Sequence, residues 1–85
     1  MTNENLNKKK EILSLINQIE QYIDQLADDG VLNSEGRKVK WLLIRKLSTL
    51  TPETKTFALR LKKTDQEQNF LAIIKEIKYY IESSF

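Results

Sequence analysis

Residues 47–57 read Leu-Ser-Thr-Leu-Thr-Pro-Glu-Thr-Lys-Thr-Phe, and the break at Thr51-Pro52-Glu53 divides the second half of the chain into separate helices. Threonine is a favoured capping residue, because its hydroxyl accepts from an N–H that has no partner within the helix. Proline suits the first helical position, where its missing N–H costs nothing, and an acid beside it complements the positive helix end. The spacing predicts a helix over 52–63 with Phe57, Ala58 and Leu61 turned inward. Upstream, Val39, Leu43, Leu47 and Leu50 form one apolar line, which predicts a helix over 34–50 capped by Asn33 or Ser34. Trp41, Leu42 and Ile44 make its middle apolar almost all round, so that helix is either central or covered by a partner.

Further toward the N-terminus, Ile12, Ile16, Ile19, Ile23 and Leu26 recur at steps of four and three and predict a helix over about 6–28. Leu13, Leu15 and Tyr22 widen its apolar stripe. Asp28-Asp29-Gly30 reads as its end, with Gly30 in the left-handed position that commonly closes a helix. Residues 1–5 are polar and read as frayed. At the other end, Thr64-Asp65-Gln66-Glu67 has capping-box spacing, and Phe70, Ile74, Ile77 and Ile81 predict a last helix over 65–83. No strand pattern or internal repeat is visible. The expected fold is all-α, a compact four-helix bundle-like domain spanning residues 1–85.

Eighty-five residues support one core, and two glycines with one proline leave room for few turns. There is no cysteine, so disulfides and thiolate chemistry are excluded, and no histidine, which removes the commonest general base and metal ligand. Serines and threonines fall at predicted caps or near helix ends, where capping is their ordinary use. Asp24, Asp28 and Asp29 lack the alternating spacing of a calcium loop. These residues predict no catalytic site, no metal and no cofactor. The longest uninterrupted apolar run is Phe70 to Ile74, with Trp41 to Ile44 next, and a membrane span needs about 20 such residues. The expectation is a soluble, cytoplasmic protein without a membrane span.

Charge is the feature that points to a role. Nine basic residues lie between Arg37 and Lys63 against one acid, Glu53, so this segment carries +8 while the flanks carry −4 and −2. Arg37 and Lys38 open a helix and oppose its dipole by a few tenths of a kcal/mol each, at most about 1. Either the acidic outer helices neutralise this segment internally, or it presents a basic surface to an acidic partner. On the second reading Arg37, Lys38, Lys40, Arg45 and Lys46 supply charge and Trp41 an apolar anchor. A lone tryptophan is otherwise usually core. The helix, turn and helix around Ser48 to Pro52 also have a helix-turn-helix outline. Glu53, Thr54, Lys55 and Thr56 would lead the recognition helix, but it holds no Asn or Gln for base readout.

Residues 30–55 contain Gly30, Val31, Glu35, Gly36, Arg37, Lys38, Arg45, Lys46, Leu50, Thr51, Glu53 and Lys55 in an order that resembles the middle of the T4-type phage anti-sigma factors, the AsiA family. The resemblance implies a small all-helical protein that binds the promoter-recognition region of the primary sigma factor and redirects RNA polymerase. The leading expectation is therefore a non-enzymatic protein-binding regulator, with transcription as its setting and a sigma factor or RNA polymerase as its partner. A bacteriocin-immunity-like four-helix protein is the alternative from architecture alone. Nucleic-acid binding through 37–63 is a third, and a homodimer through Trp41–Ile44 is compatible with each.

Overall fold

The computed structural model describes residues 3–84, with side chains placed for residues 6–83; Met1, Thr2 and Phe85, and with them part of the expected frayed end, lie outside the described residues. The described chain forms five helices and one two-stranded ribbon: α1 (Asn3–Gln21), α2 (Ile23–Leu26), β1 (Ala27–Asp28), β2 (Val31–Leu32), α3 (Ser34–Ser48), α4 (Pro52–Lys62) and α5 (Glu67–Ser84). Helix α1 starts at Asn3, ahead of the expected residue 6. Ile12, Leu15, Ile16 and Ile19 are its buried face.

The predicted first helix does not run unbroken to residue 28. Tyr22 takes φ −111° and ψ 22°, and the next hydrogen bond tightens, with Gln25 N donating to Tyr22 O at 2.9 Å. After one short turn Ala27 is extended, at φ −142° and ψ 147°. Asp29 (φ 53°) and Gly30 (φ 82°) then both occupy the left-handed region. Two successive positive φ values are what a tight β-hairpin turn needs, and Asp-Gly is among its preferred pairs. Ala27 accordingly faces Leu32, and Asp28 faces Val31, in an antiparallel pair. The Asp-Gly read as a helix end is instead a hairpin turn. Three acids near a helix C-terminus, where the dipole is negative, also weigh against continuing the helix.

This ribbon connects the first half of the chain to the last helix. Leu32 is buried, and its N–H donates to Asp65 O at 2.7 Å, while Glu67 N donates to Gly30 O at 2.8 Å. Val31 forms a β-bridge with Gln66. The ribbon thus satisfies an N–H in the first turn of α5, a group that has no partner within the helix. The expected capping box at Thr64–Glu67 does not form: Thr64 Oγ1 accepts from Gln66 N at 3.3 Å, and α5 begins at Glu67.

Asn33 caps α3. Its Oδ1 accepts from Gly36 N at 2.9 Å, and its Nδ2 donates back to Gln25 O at 3.0 Å. Gly36 lets the first turn of α3 press on α2, since a Cβ there would collide with the Leu26 carbonyl oxygen. At the far end Thr51 caps α4 as the sequence predicts, its Oγ1 accepting from Thr54 N at 3.1 Å. Thr54 is fully buried, with Oγ1 donating to Leu47 O at 2.7 Å and accepting from Thr51 N at 3.0 Å. One hydroxyl therefore ties the end of α3 to the start of α4. Thr54 is not on the surface that a recognition helix would present.

The core joins Ile12, Ile16 and Ile19 of α1 to Leu43 and Leu47 of α3, Ala58 and Leu61 of α4, and Phe70, Ile74, Ile77 and Ile81 of α5. Burial of each large apolar side chain contributes about 1.5–3 kcal/mol. The rest of the fold arranges what this core leaves outside.

Candidate protein-docking face on α3

Helix α3 buries Val39 in part, and Lys40, Leu43, Ile44 and Leu47 almost entirely. Its opposite side carries Arg37, Lys38, Trp41, Leu42 and Arg45. Trp41 is 48% exposed and Leu42 43%, so the helix that reads as apolar all round has two large apolar residues in water. Trp41 is not core. It stands between two open hollows of about 660 Å³ and 680 Å³ that share Trp41, Leu42 and Arg45 as walls.

The six residues expected to bind a partner separate by position. Arg37 and Lys38 are exposed; Arg37 Nη1 donates to Leu32 O at 2.9 Å, and Lys38 Nζ lies 3.4 Å from Glu35 of its own first turn. Arg45 is exposed, with no carboxylate partner among the described residues. Lys46 is half-buried and faces Glu11 of α1 at 3.5 Å. Lys40 requires a correction. Its side chain is 4% exposed and donates to Asp65 Oδ1 at 2.6 Å and Thr64 O at 2.9 Å. It lies one position before Trp41, a rotation of about 100° that turns it from the outer face into the packing. Lys40 holds the α4–α5 connection and is no part of the surface.

Internal neutralisation is thus partial. Lys40, Lys46 and Arg60 meet carboxylates from other parts of the chain, Arg60 through two parallel bonds to Glu76 at 2.9 and 2.8 Å. That contact holds the Glu76 carboxyl below the ordinary glutamate range, and the hydrogen bonds are the main cause. Arg45, Lys55, Lys62 and Lys63 have no such partner among the described residues. Leu42 is the surface residue that sequence reading left out of the site. Its position one turn after Lys38 on the outer face was the available signal, but an isolated leucine in an apolar run reads as core.

Among the residues carrying the anti-sigma resemblance, several have structural work: Gly30 forms the hairpin turn, Gly36 the close approach to Leu26, and Thr51 the α4 cap. Arg37, Lys38 and Arg45 lie on the open face. Among the described residues no three acids gather to hold a metal ion, and no helix is long and apolar enough to cross a membrane. In comparison with known proteins, no family model, curated protein or solved structure matches the chain.

Proposed function

We propose that this chain is a small, non-enzymatic protein-binding regulator that docks an acidic surface of its partner on the outer face of α3. The observation that supports this most is the half-exposed Trp41–Leu42 pair set among Arg37, Lys38 and Arg45. Aromatic and arginine side chains concentrate binding energy at protein interfaces, and a positive rim accelerates encounter with a negative surface. The resemblance over residues 30–55 favours a transcription component as that surface, making the chain an anti-sigma-like modulator. The test is association with purified primary sigma factor, compared between the natural chain and the double variant Arg37→Glu, Lys38→Glu. Salt-sensitive binding that the reversal slows supports the reading; equal binding by both, at low salt, ends it.

A second reading has one observation in its favour. Lys55, Lys62 and Lys63 of α4 and its C-terminus are exposed, with no carboxylate partner among the described residues, which suits nonspecific contact with phosphates. A low-salt gel shift with duplex and single-stranded DNA tests it, and no retardation at micromolar protein removes it.

A further inference from the structure

On the outer face of α3, Arg37, Trp41 and Arg45 follow one another at four-residue intervals, with Lys38 and Leu42 forming a second row beside them. Each row is a ridge along the helix, and the furrow between two such ridges accepts the matching ridge of another helix. One hollow lies toward the N-terminal half of α3 and one toward its C-terminal half, and Trp41, Leu42 and Arg45 form a wall of each. Arg37 and Arg45 are eight residues apart, which is about 12 Å along the axis. A cation, a bulky apolar residue and a second cation are therefore laid out in line over that distance.

We infer that the element seated here is one amphipathic helix of the partner, with carboxylates eight residues apart and a bulky apolar residue midway between them. The inference rests on the docking reading above and names the part of the partner that enters the site. Charge selects the occupant: among the described residues Arg45 has no carboxylate partner, and Lys38 has only Glu35 of its own exposed first turn. A second copy docked symmetrically about Trp41 would set Arg37 of each chain against Arg45 of the other, a like-charge contact. Backbone chemistry selects the shape. A peptide that adds as a β-strand needs the open edge of a sheet, whereas this face is helix, whose amides and carbonyls are already paired along its length. A helix brings its own backbone bonds satisfied and needs only side chains to meet the ridges.

Trp41 is the only tryptophan in the chain, so its emission reports directly on this face. The probes are three capped, tryptophan-free, alanine-rich peptides of about 18 residues, long enough to hold some helix in water. The first carries Glu, Leu and Glu at four-residue intervals. The second has the same composition with both glutamates moved two positions, to the other side of the helix. The third keeps the first pattern but has prolines that prevent helix formation. The expected result is a blue shift of Trp41 emission with a rise in peptide helicity for the first, and binding weaker on the order of tenfold or more for the other two. Binding of the second or third as tight as the first, abolished by Arg37→Glu with Lys38→Glu, overturns the helical occupant while leaving the docking face in place. Binding that this reversal does not weaken, or no response to any peptide, overturns both.

Discussion

Lys40 Nζ meets Asp65 Oδ1 at 2.6 Å, and this contact joins the middle of α3 to the segment between α4 and α5. The lysine is nearly enclosed while the aspartate is about half exposed, so the two ends of the pair have different surroundings. The same ammonium also donates to Thr64 O, and the neighbouring Asp65 carbonyl receives Leu32 N from the ribbon. Asp65 therefore ties the middle of α3 and the hairpin to the same segment, in addition to the direct links through Asn33 and Arg37.

Removing one partner of this pair leaves the other uncompensated. Asp65→Asn should cost about 1–3 kcal/mol, less than for a wholly buried pair because water reaches the aspartate side. Lys40→Met keeps the stem volume without the charge and should cost less than Lys40→Ala, which also opens a cavity. Urea unfolding followed by circular dichroism checks the order, and a Lys40→Met protein as unstable as Lys40→Ala would contradict it.

Gly36→Ala should destabilise by about 1–3 kcal/mol, because the added methyl meets the Leu26 carbonyl and α2 must move. At an exposed helical site the same change would stabilise by about 0.5–1 kcal/mol, so the sign alone is diagnostic. Gly30→Ala has open space around it but a φ of 82°, and should cost about 1–2 kcal/mol from backbone strain. Thermal unfolding of both variants decides the point.

Thr54→Val keeps the shape and removes the hydroxyl that serves Leu47 O and Thr51 N. Leu47 O keeps its bond from Leu50 N, but Thr51 N is left unmet, which should cost about 1–3 kcal/mol. Amide exchange should quicken at Thr51, at the α3–α4 junction, more than in α1.

The Glu76 carboxyl is held down by Arg60, so the folded state binds its proton less readily than the unfolded chain does. The sign follows: the pair's contribution is complete above the ordinary glutamate pKa of about 4.3 and is lost as pH falls through the lower folded value. A carboxyl NMR titration should place Glu76 below an ordinary glutamate, and Arg60→Gln should move it upward. Because both side chains are exposed, the effect on stability should be small and should weaken with salt. An unchanged titration in Arg60→Gln would contradict the assignment.

The helices after residue 33 were legible because their signals are local. Thr51-Pro52 starts α4 where expected, and the Phe70, Ile74, Ile77 and Ile81 line marks α5. Asp28-Asp29-Gly30 is ambiguous in the sequence, since the same residues serve a helix end or a hairpin turn. What decides between them is pairing with Gln66 and Asp65, more than thirty residues away. The site followed the same division. Arg37, Lys38 and Arg45 stand on the outer face, one of the two arrangements that charge patterning leaves open. Lys40 shares their composition, but its rotation about the helix axis carries it inward to Asp65. Trp41 and Leu42 could be told from core residues only once Leu43, Ile44 and Leu47 had occupied the inner face.

Site-specific photo-crosslinking in cells would show whether the outer face of α3 meets an acidic protein. A photoreactive residue would replace Leu42 in one protein and Leu59, equally exposed on α4, in another. One dominant adduct with an acidic protein is expected at position 42, lost when Arg37 and Lys38 are reversed to glutamate, and none of comparable yield at position 59. The same adduct at both positions, or one at position 42 that survives the charge reversal, would contradict it.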